Sequence, residues 1–273
     1  MQYDPIKQSL GKVFNKSPRL RKLFYKLLDL LLLRTWHVKK ELRSWSRRSR
    51  GEKIILDAGS GFGQYSFAMA SKHKDWIIDG VDVKQEQIDD CNSFFRTCGI
   101  ENASFRVADL TQLDTPDTYD FILSVDVMEH IEDDVAVFKN FCRALKKDGM
   151  VLISTPSDKG GSDVHDHDHS NDGSASFIDE HVRDGYNIDE IQEKLKDAGF
   201  SKTRARYQYG TPGKISWRLS MKYPIQMLNT SKIFFAILPF YYLITFPFCL
   251  ILNAIDVNGN FKTGTGLVVK AWK

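Results

Sequence analysis

The sequence predicts an α/β chain, a mostly parallel sheet with helices on both faces, and three observations carry that expectation. Residues 53–70, KIILDAGSGFGQYSFAMA, pass from an apolar run through an acid and a glycine-rich turn into a helical stretch. Four further apolar runs follow within the next hundred residues, three of them closing on an acid or a turn. The chain has 273 residues and 42% hydrophobic content, enough for the substantial core of one elaborated domain.

Each element has its own reason. Ile54, Ile55 and Leu56 read as a buried strand, and Gly59, Gly61 and Gly63 let the backbone turn tightly beside a ligand. Residues 64–71 then continue as a helix. The stretch 75–83, DWIIDGVDV, gives a second strand ending at Asp82, 19 residues past Gly63, where a carboxylate can accept both hydroxyls of a ribose. A third strand, 103–110 (ASFRVADL), ends at Asp109, an acceptor for an adenine amino group. The segment 119–131, YDFILSVDVMEHI, is a fourth strand running into a loop, and 145–156, LKKDGMVLISTP, a fifth after a turn at Asp148 and Gly149. A helix over 188–198 closes at Gly199, strand six covers 202–209, and strand seven covers 266–272.

In their order and at their strand ends, LDAGSGFG, VDV, VADL, DVMEHI and LKKDGMVLISTP resemble class I S-adenosylmethionine-dependent methyltransferases, in particular the small-molecule group that includes enzymes of quinone biosynthesis. The resemblance covers residues 52–200 and the last strand. It implies a seven-stranded Rossmann-like methyltransferase sheet whose last two strands form an antiparallel hairpin, and S-adenosylmethionine as cofactor. It also implies site roles. Asp57 and the backbone of Ala58, Gly59, Ser60, Gly61 and Gly63 would hold the methionine portion, Asp82 the ribose, and Asp109 the adenine edge. Val83 and Leu110 would flank the adenine, and Val125 and Asp126 would lie near the amino-acid end. The glycines here are two apart, GxGxG, whereas dinucleotide-binding dehydrogenases usually follow GxGxxG.

Two regions fall outside that pattern. Residues 1–50 hold 14 Lys and Arg against Asp4, Asp29 and Glu41, a charge of +11, so the rest of the chain carries −8 of the total +3. Within this arm, 23–33 (LFYKLLDLLLL) is too short to span a bilayer; it suits an interfacial helix on anionic lipid or a helix capping the catalytic domain, two readings the sequence leaves open. Strands six and seven are joined by the 56 residues 210–265, far beyond a hairpin loop, which makes the connection a helical insertion above the carboxyl edge of the sheet. Its run 233–252 is uncharged and long enough to cross a membrane, but a single crossing would separate strand seven from its partners, and Pro239 and Pro247 argue for two short helical pieces. Trp217, Tyr223, Tyr241 and Tyr242 are available for a wet boundary. The expected organisation is therefore an arm (1–50), a catalytic unit (51–210 with 263–273) and a lid or membrane-contact insertion (211–262).

His130 is the candidate general base, since imidazole titrates near neutrality and its loop faces the cofactor; a structural role for Glu129 or His130 stands beside that reading. His181 is a second candidate, with a surface role as its default. The tract at 165–169, alternating His and Asp, invites a metal site, but Gly and Ser on both sides favour a solvated loop, and no metal is expected. Cys91, Cys98, Cys142 and Cys249 lack metal-like spacing and read as reduced thiols, and the polar residues 1–18 do not resemble a signal peptide. The expectation is a cytoplasmic enzyme on the inner membrane face that methylates a hydrophobic small molecule, with oligomeric state open. The alternative is a non-catalytic, membrane-attached scaffold or partner-binding module. A nucleic-acid partner is disfavoured because VDVMEH replaces an NPPY-type base-flipping loop.

Overall fold

The computed structural model describes residues 17–160, 182–231 and 233–273. Two helices open it, α1 (Pro18–Leu31) and α2 (Leu33–Arg48). The sheet unit follows as β1 (Lys53–Ala58), α3 (Gln64–Lys72), β2 (Trp76–Asp82), α4 (Gln85–Thr97), β3 (Ala103–Val107), β4 (Tyr119–Val125), α5 (Asp134–Ala144), β5 (Leu145–Pro156), α6 (Ile188–Asp197) and β6 (Lys202–Gln208). The insertion contributes α7 (Thr211–Trp217), a π-helical stretch (Arg218–Lys222), α8 (Tyr223–Thr230) and α9 (Phe234–Asn258), before β7 (Gly266–Trp272).

The seven strands lie in the order β3-β2-β1-β4-β5-β7-β6, all parallel except β7, which pairs antiparallel with both neighbours. This is the predicted α/β architecture, including the antiparallel final hairpin. Alternation along the central strands divides the core between the faces. Ile122 of β4 packs on one side with Phe138 and Phe141 of α5 and Leu195 of α6. Phe121 and Leu123 pack on the other with Phe94 and Phe95 of α4, Val38 and Leu42 of α2, and Tyr25 of α1. The arm therefore caps the domain as part of a core layer, and Glu41 of α2 binds Lys270 of β7 at 2.7 Å and Arg206 of β6 at 3.3 Å.

Two local expectations need correction. Strand β3 stops at Val107, and Asp109 instead caps the short 3₁₀ turn Leu110–Gln112. The apolar run does not break at its prolines: α9 is one helix of 25 residues containing Pro239 and Pro247. A proline removes only its own donor, and its fixed φ is already helical, so the ladder resumes on either side when packing holds the two halves in line. Here Tyr241 donates from its hydroxyl to the Leu219 carbonyl at 2.8 Å and Tyr242 to that of Ser220 at 2.7 Å. These tyrosines staple the helix to the π-helical stretch rather than reaching a wet boundary.

Candidate active site

The carboxyl ends of β1, β2 and β4 converge on the glycine turn. Gly59, Gly61 and Gly63 all have positive φ, +79°, +50° and +73°. At Gly59 a Cβ would lie 2.2 Å from Val127 Cγ2, so only glycine lets this turn pass beneath the loop after β4. At Gly61 a Cβ would meet nothing within 4 Å, which leaves its outer side open to a ligand. Gly59 and Ser60 donate from their backbone N–H groups to the Val81 carbonyl at 2.9 and 2.8 Å, tying the turn to β2. The Gly61 N–H donates to Asp82 Oδ2 at 3.0 Å, while Asp82 Oδ1 accepts from the Lys84 N–H at the same distance. Each carboxylate oxygen keeps a lone pair for a ribose hydroxyl. Beneath them Asp57 is buried and accepts the Ser66 hydroxyl at 2.5 Å; burial pushes its carboxyl up to about 6 against that hydrogen bond.

The turn is braced from behind by the arm. Arg21, almost wholly buried, donates to the Phe62 carbonyl at 2.9 Å and pairs with Asp90 at 2.5 Å, and the Tyr25 hydroxyl also donates to Phe62. The Cys91 thiol, its pKa pushed up to about 12 by burial, donates to the Gly61 carbonyl at 3.3 Å. It is one of four free cysteines.

The remaining sequence-predicted residues fall into distinct places. Val83 is 64% exposed beside Asp82, where an apolar wall for a base would stand. Asp109 is exposed at the end of the neighbouring strand, with Oδ1 accepting both the N–H and the hydroxyl of Thr111 at 2.8 Å. Leu110 packs in the core, because the 3₁₀ turn capped by Asp109 carries it beneath the sheet edge. Ala58 is likewise core, leaving its backbone to the turn. Val125 is half-buried at the end of β4, and Asp126 follows in the left-handed region with φ +52°. His130 is exposed at the end of the turn Met128–His130. His181 and the 165–169 tract lie outside the described residues.

The structure adds residues that motif reading passes over. Arg34 of α2 forms an ion pair with Asp126 across the site. Its backbone N–H donates to the Tyr209 hydroxyl at 3.1 Å, and Tyr209, just past β6, has φ +55°, a strained value for an aromatic residue. Tyr209 is held there by Asp256 of α9, which accepts from the Tyr209 N–H at 3.1 Å, the Gly213 N–H at 3.0 Å and His37 Nε2 at 2.8 Å. Burial lowers the His37 pKa against the hydrogen bond to Asp256, which raises it. Glu129 is buried under the same loop and accepts the Thr155 hydroxyl at 3.1 Å; burial raises its pKa while His130 and Arg34 pull it down. Asp256 carried a signal, being the single acid in the 210–265 connection. Arg34 interrupts a run of four leucines, and its partner 92 positions away could not be named from that.

A family model described as a methyltransferase domain matches residues 49–199. The chain belongs to that family. With the strand order above, this makes it a class I S-adenosylmethionine-dependent methyltransferase by family, and S-adenosylmethionine is the cofactor. The cradle fits that group: the face of Gly61 is open, Asp82 lines it, and the buried Ser60 hydroxyl has no partner among the described residues. The phosphoethanolamine N-methyltransferase of Triticum aestivum is 32% identical over 153 residues, 55% of this chain and 28% of that protein. The ubiquinone biosynthesis O-methyltransferase of Neisseria meningitidis is 28% identical over 116 residues, 41% of this chain and 48% of its own length. The chain thus spans under a third of the plant relative. Among solved structures, Haemonchus contortus phosphoethanolamine N-methyltransferase 2 with S-adenosyl-L-methionine superposes with TM-score 0.57 at 18% identity, over 92% of this chain and 60% of that one. The [4+2]-cyclase SpnF gives 0.56 at 15% identity, over 87% and 80%. At such identities the likeness is one of fold, and the cyclase shows that this fold hosts more than one reaction.

Proposed function

We propose that this chain transfers the methyl group of S-adenosylmethionine to a hydrophobic, lipid-like small molecule while attached to the cytoplasmic face of a membrane. The carrying observation is the Gly61–Asp82 contact at an open glycine face, a cradle with every acidic position filled. Catalysis, on this reading, is the work of residues 51–210 with 263–273, roofed by the arm and the 211–262 insertion. Relatives named for phosphoethanolamine, (S)-coclaurine and ubiquinone biosynthesis match 55%, 54% and 41% of this chain, so likeness to them names no single acceptor.

When bound, S-adenosylmethionine supplies an electrophilic methyl on a sulfonium. The chain's own contribution is chiefly positional. Asp82, Asp109 and the 59–63 backbone would hold the nucleoside and methionine ends, and Asp57 and Asp126 would face the ammonium. Arg34, drawn to Asp126, borders the site from the arm side. His130, on the loop beside Asp126, would accept the proton that a hydroxyl or amine acceptor sheds. Membrane attachment is supported by α1, whose Leu20, Leu23, Leu27 and Leu30 form an exposed stripe beside the exposed Arg19 and Lys26.

The test is a methyl-transfer assay with labelled S-adenosylmethionine and a membrane extract from the source cells. Label should enter organic-extractable material, and an Asp82→Ala chain should transfer none. Label entering only water-soluble compounds would remove the lipid-like acceptor, and none in either phase would favour the scaffold reading.

A further inference from the structure

The helix α9 is built inside out for water. Its outward face carries Phe235, Phe240, Leu243, Ile244, Phe248 and Ile251, each between 60% and 76% exposed, and no charged residue stands between Ile233 and Ile255. Its polar groups face the protein: the hydroxyls of Tyr241 and Tyr242 go to α7's continuation, and Asn253 and Asp256 are buried. A surface helix of a water-soluble domain shows the reverse arrangement. An uninterrupted apolar face of this size on one helix marks an interaction surface rather than scattered exposed leucines.

The pairing of α9 with the preceding helices decides how that face can meet a membrane. Ser216 contacts Cys249, Leu219 contacts Tyr241 and Ser220 contacts Tyr242, so the chain runs out through α7 and the π-helical stretch and returns antiparallel along α9. The insertion is a helical hairpin. It delivers β7 to the same side that β6 left, as their pairing requires. Its base is pinned by Asp256 to His37 and Tyr209. Between residues 210 and 265 the charges are Lys214, Arg218, Lys222, Lys232 and Lys262 against Asp256 alone, and that acid is buried. The hairpin therefore offers a wholly apolar face with cationic groups and no exposed acid, the complement of an anionic leaflet.

We propose that this hairpin is a monotopic membrane anchor: α9 beds its outward face in the acyl boundary of one leaflet without crossing it. This deepens the membrane part of the proposed function and assigns the hold to apolar burial by the hairpin rather than to the charge of the arm. Once bound, the chain should resist salt, whereas attachment by charge alone dissolves as salt rises.

Flotation of the full chain with vesicles of phosphatidylcholine, with and without phosphatidylglycerol, tests it. The protein should float with both, more with the anionic lipid, and stay bound through a wash in molar sodium chloride. The triple variant Phe240→Asp, Ile244→Asp, Phe248→Asp should float at least roughly tenfold less. The single variant Leu243→Asp, at the most exposed of these positions, guards against misfolding and should show a smaller loss in the same direction. Circular dichroism and S-adenosylmethionine titration should be unchanged in both. Three results would overturn the proposal: unchanged flotation of the triple variant; release by salt with loss on Arg19→Glu, Lys26→Glu alone; or a soluble dimer that the triple variant turns into a monomer. Failure to bind S-adenosylmethionine would sink the methyl-transfer reading and leave the anchor standing.

Discussion

The cradle and the roof of this site are built on opposite plans. The cradle is mostly local: Asp57, Gly59, Gly61, Gly63 and Ser66 lie within ten positions, and the Gly61–Asp82 contact that faces the ligand spans only 21. The roof is long-range: Arg34 meets Asp126 and Tyr209, and His37 meets Asp256, 219 positions away. The cradle's contacts turn toward a ligand, whereas the roof's are satisfied within the protein. Damage to the roof should therefore cost stability, and damage to the cradle should cost cofactor affinity.

The largest expected effect follows from removing Asp256. Asp256→Ala strips the acceptor from three donors, His37, Tyr209 N–H and Gly213 N–H, at a cost of about 3–5 kcal/mol. Thermal melting should fall by roughly 10 °C, and cofactor affinity should change less than about threefold. A matched loss of both would break the division. Next comes Asp82→Ala, which removes two charge-assisted acceptors for ribose and should weaken S-adenosylmethionine binding on the order of 100-fold by calorimetry, with melting lowered far less than in Asp256→Ala because the freed Gly61 and Lys84 N–H groups are only partly buried.

The third effect has a pH signature. The Asp57 carboxyl is raised in the folded state, to about 6 from a reference of 3.8. Its contribution to stability is complete below the reference value and is lost as pH rises through 6. Asp57→Asn removes that loss and still accepts the Ser66 hydroxyl. The variant should match the wild type near pH 4 and exceed it by about 2–3 kcal/mol at pH 8, measured by denaturant unfolding, while binding the cofactor more weakly. His37, lowered by burial, destabilises both proteins as pH falls below its ordinary range and cancels from the difference.

The same contrast explains what could be read from the sequence. The seven strands, the antiparallel final hairpin and the glycine turn were legible because each strand ends in its own residue, and a glycine turn needs only its neighbours to be understood. The burial of Leu110 was not legible, because the Asp109 cap that turns the following residue into the core shows only in the structure. The contacts that build the roof were not legible. Nothing near Arg34 names Asp126, and nothing near Tyr209 reveals a left-handed backbone held by α9. Pro239 and Pro247 misled in the same way, since the tyrosine staples that keep α9 whole reach back 22 positions.

The central claim is that the open face of Gly61 is the seat of S-adenosylmethionine. Titrating the cofactor into the full chain and into Gly61→Val measures it directly. A Cβ there meets no protein atom, so the variant should remain folded, with about 1–3 kcal/mol of backbone strain. The wild type should bind one equivalent and the variant none. Equal binding by both, or no binding by the wild type, would contradict the account.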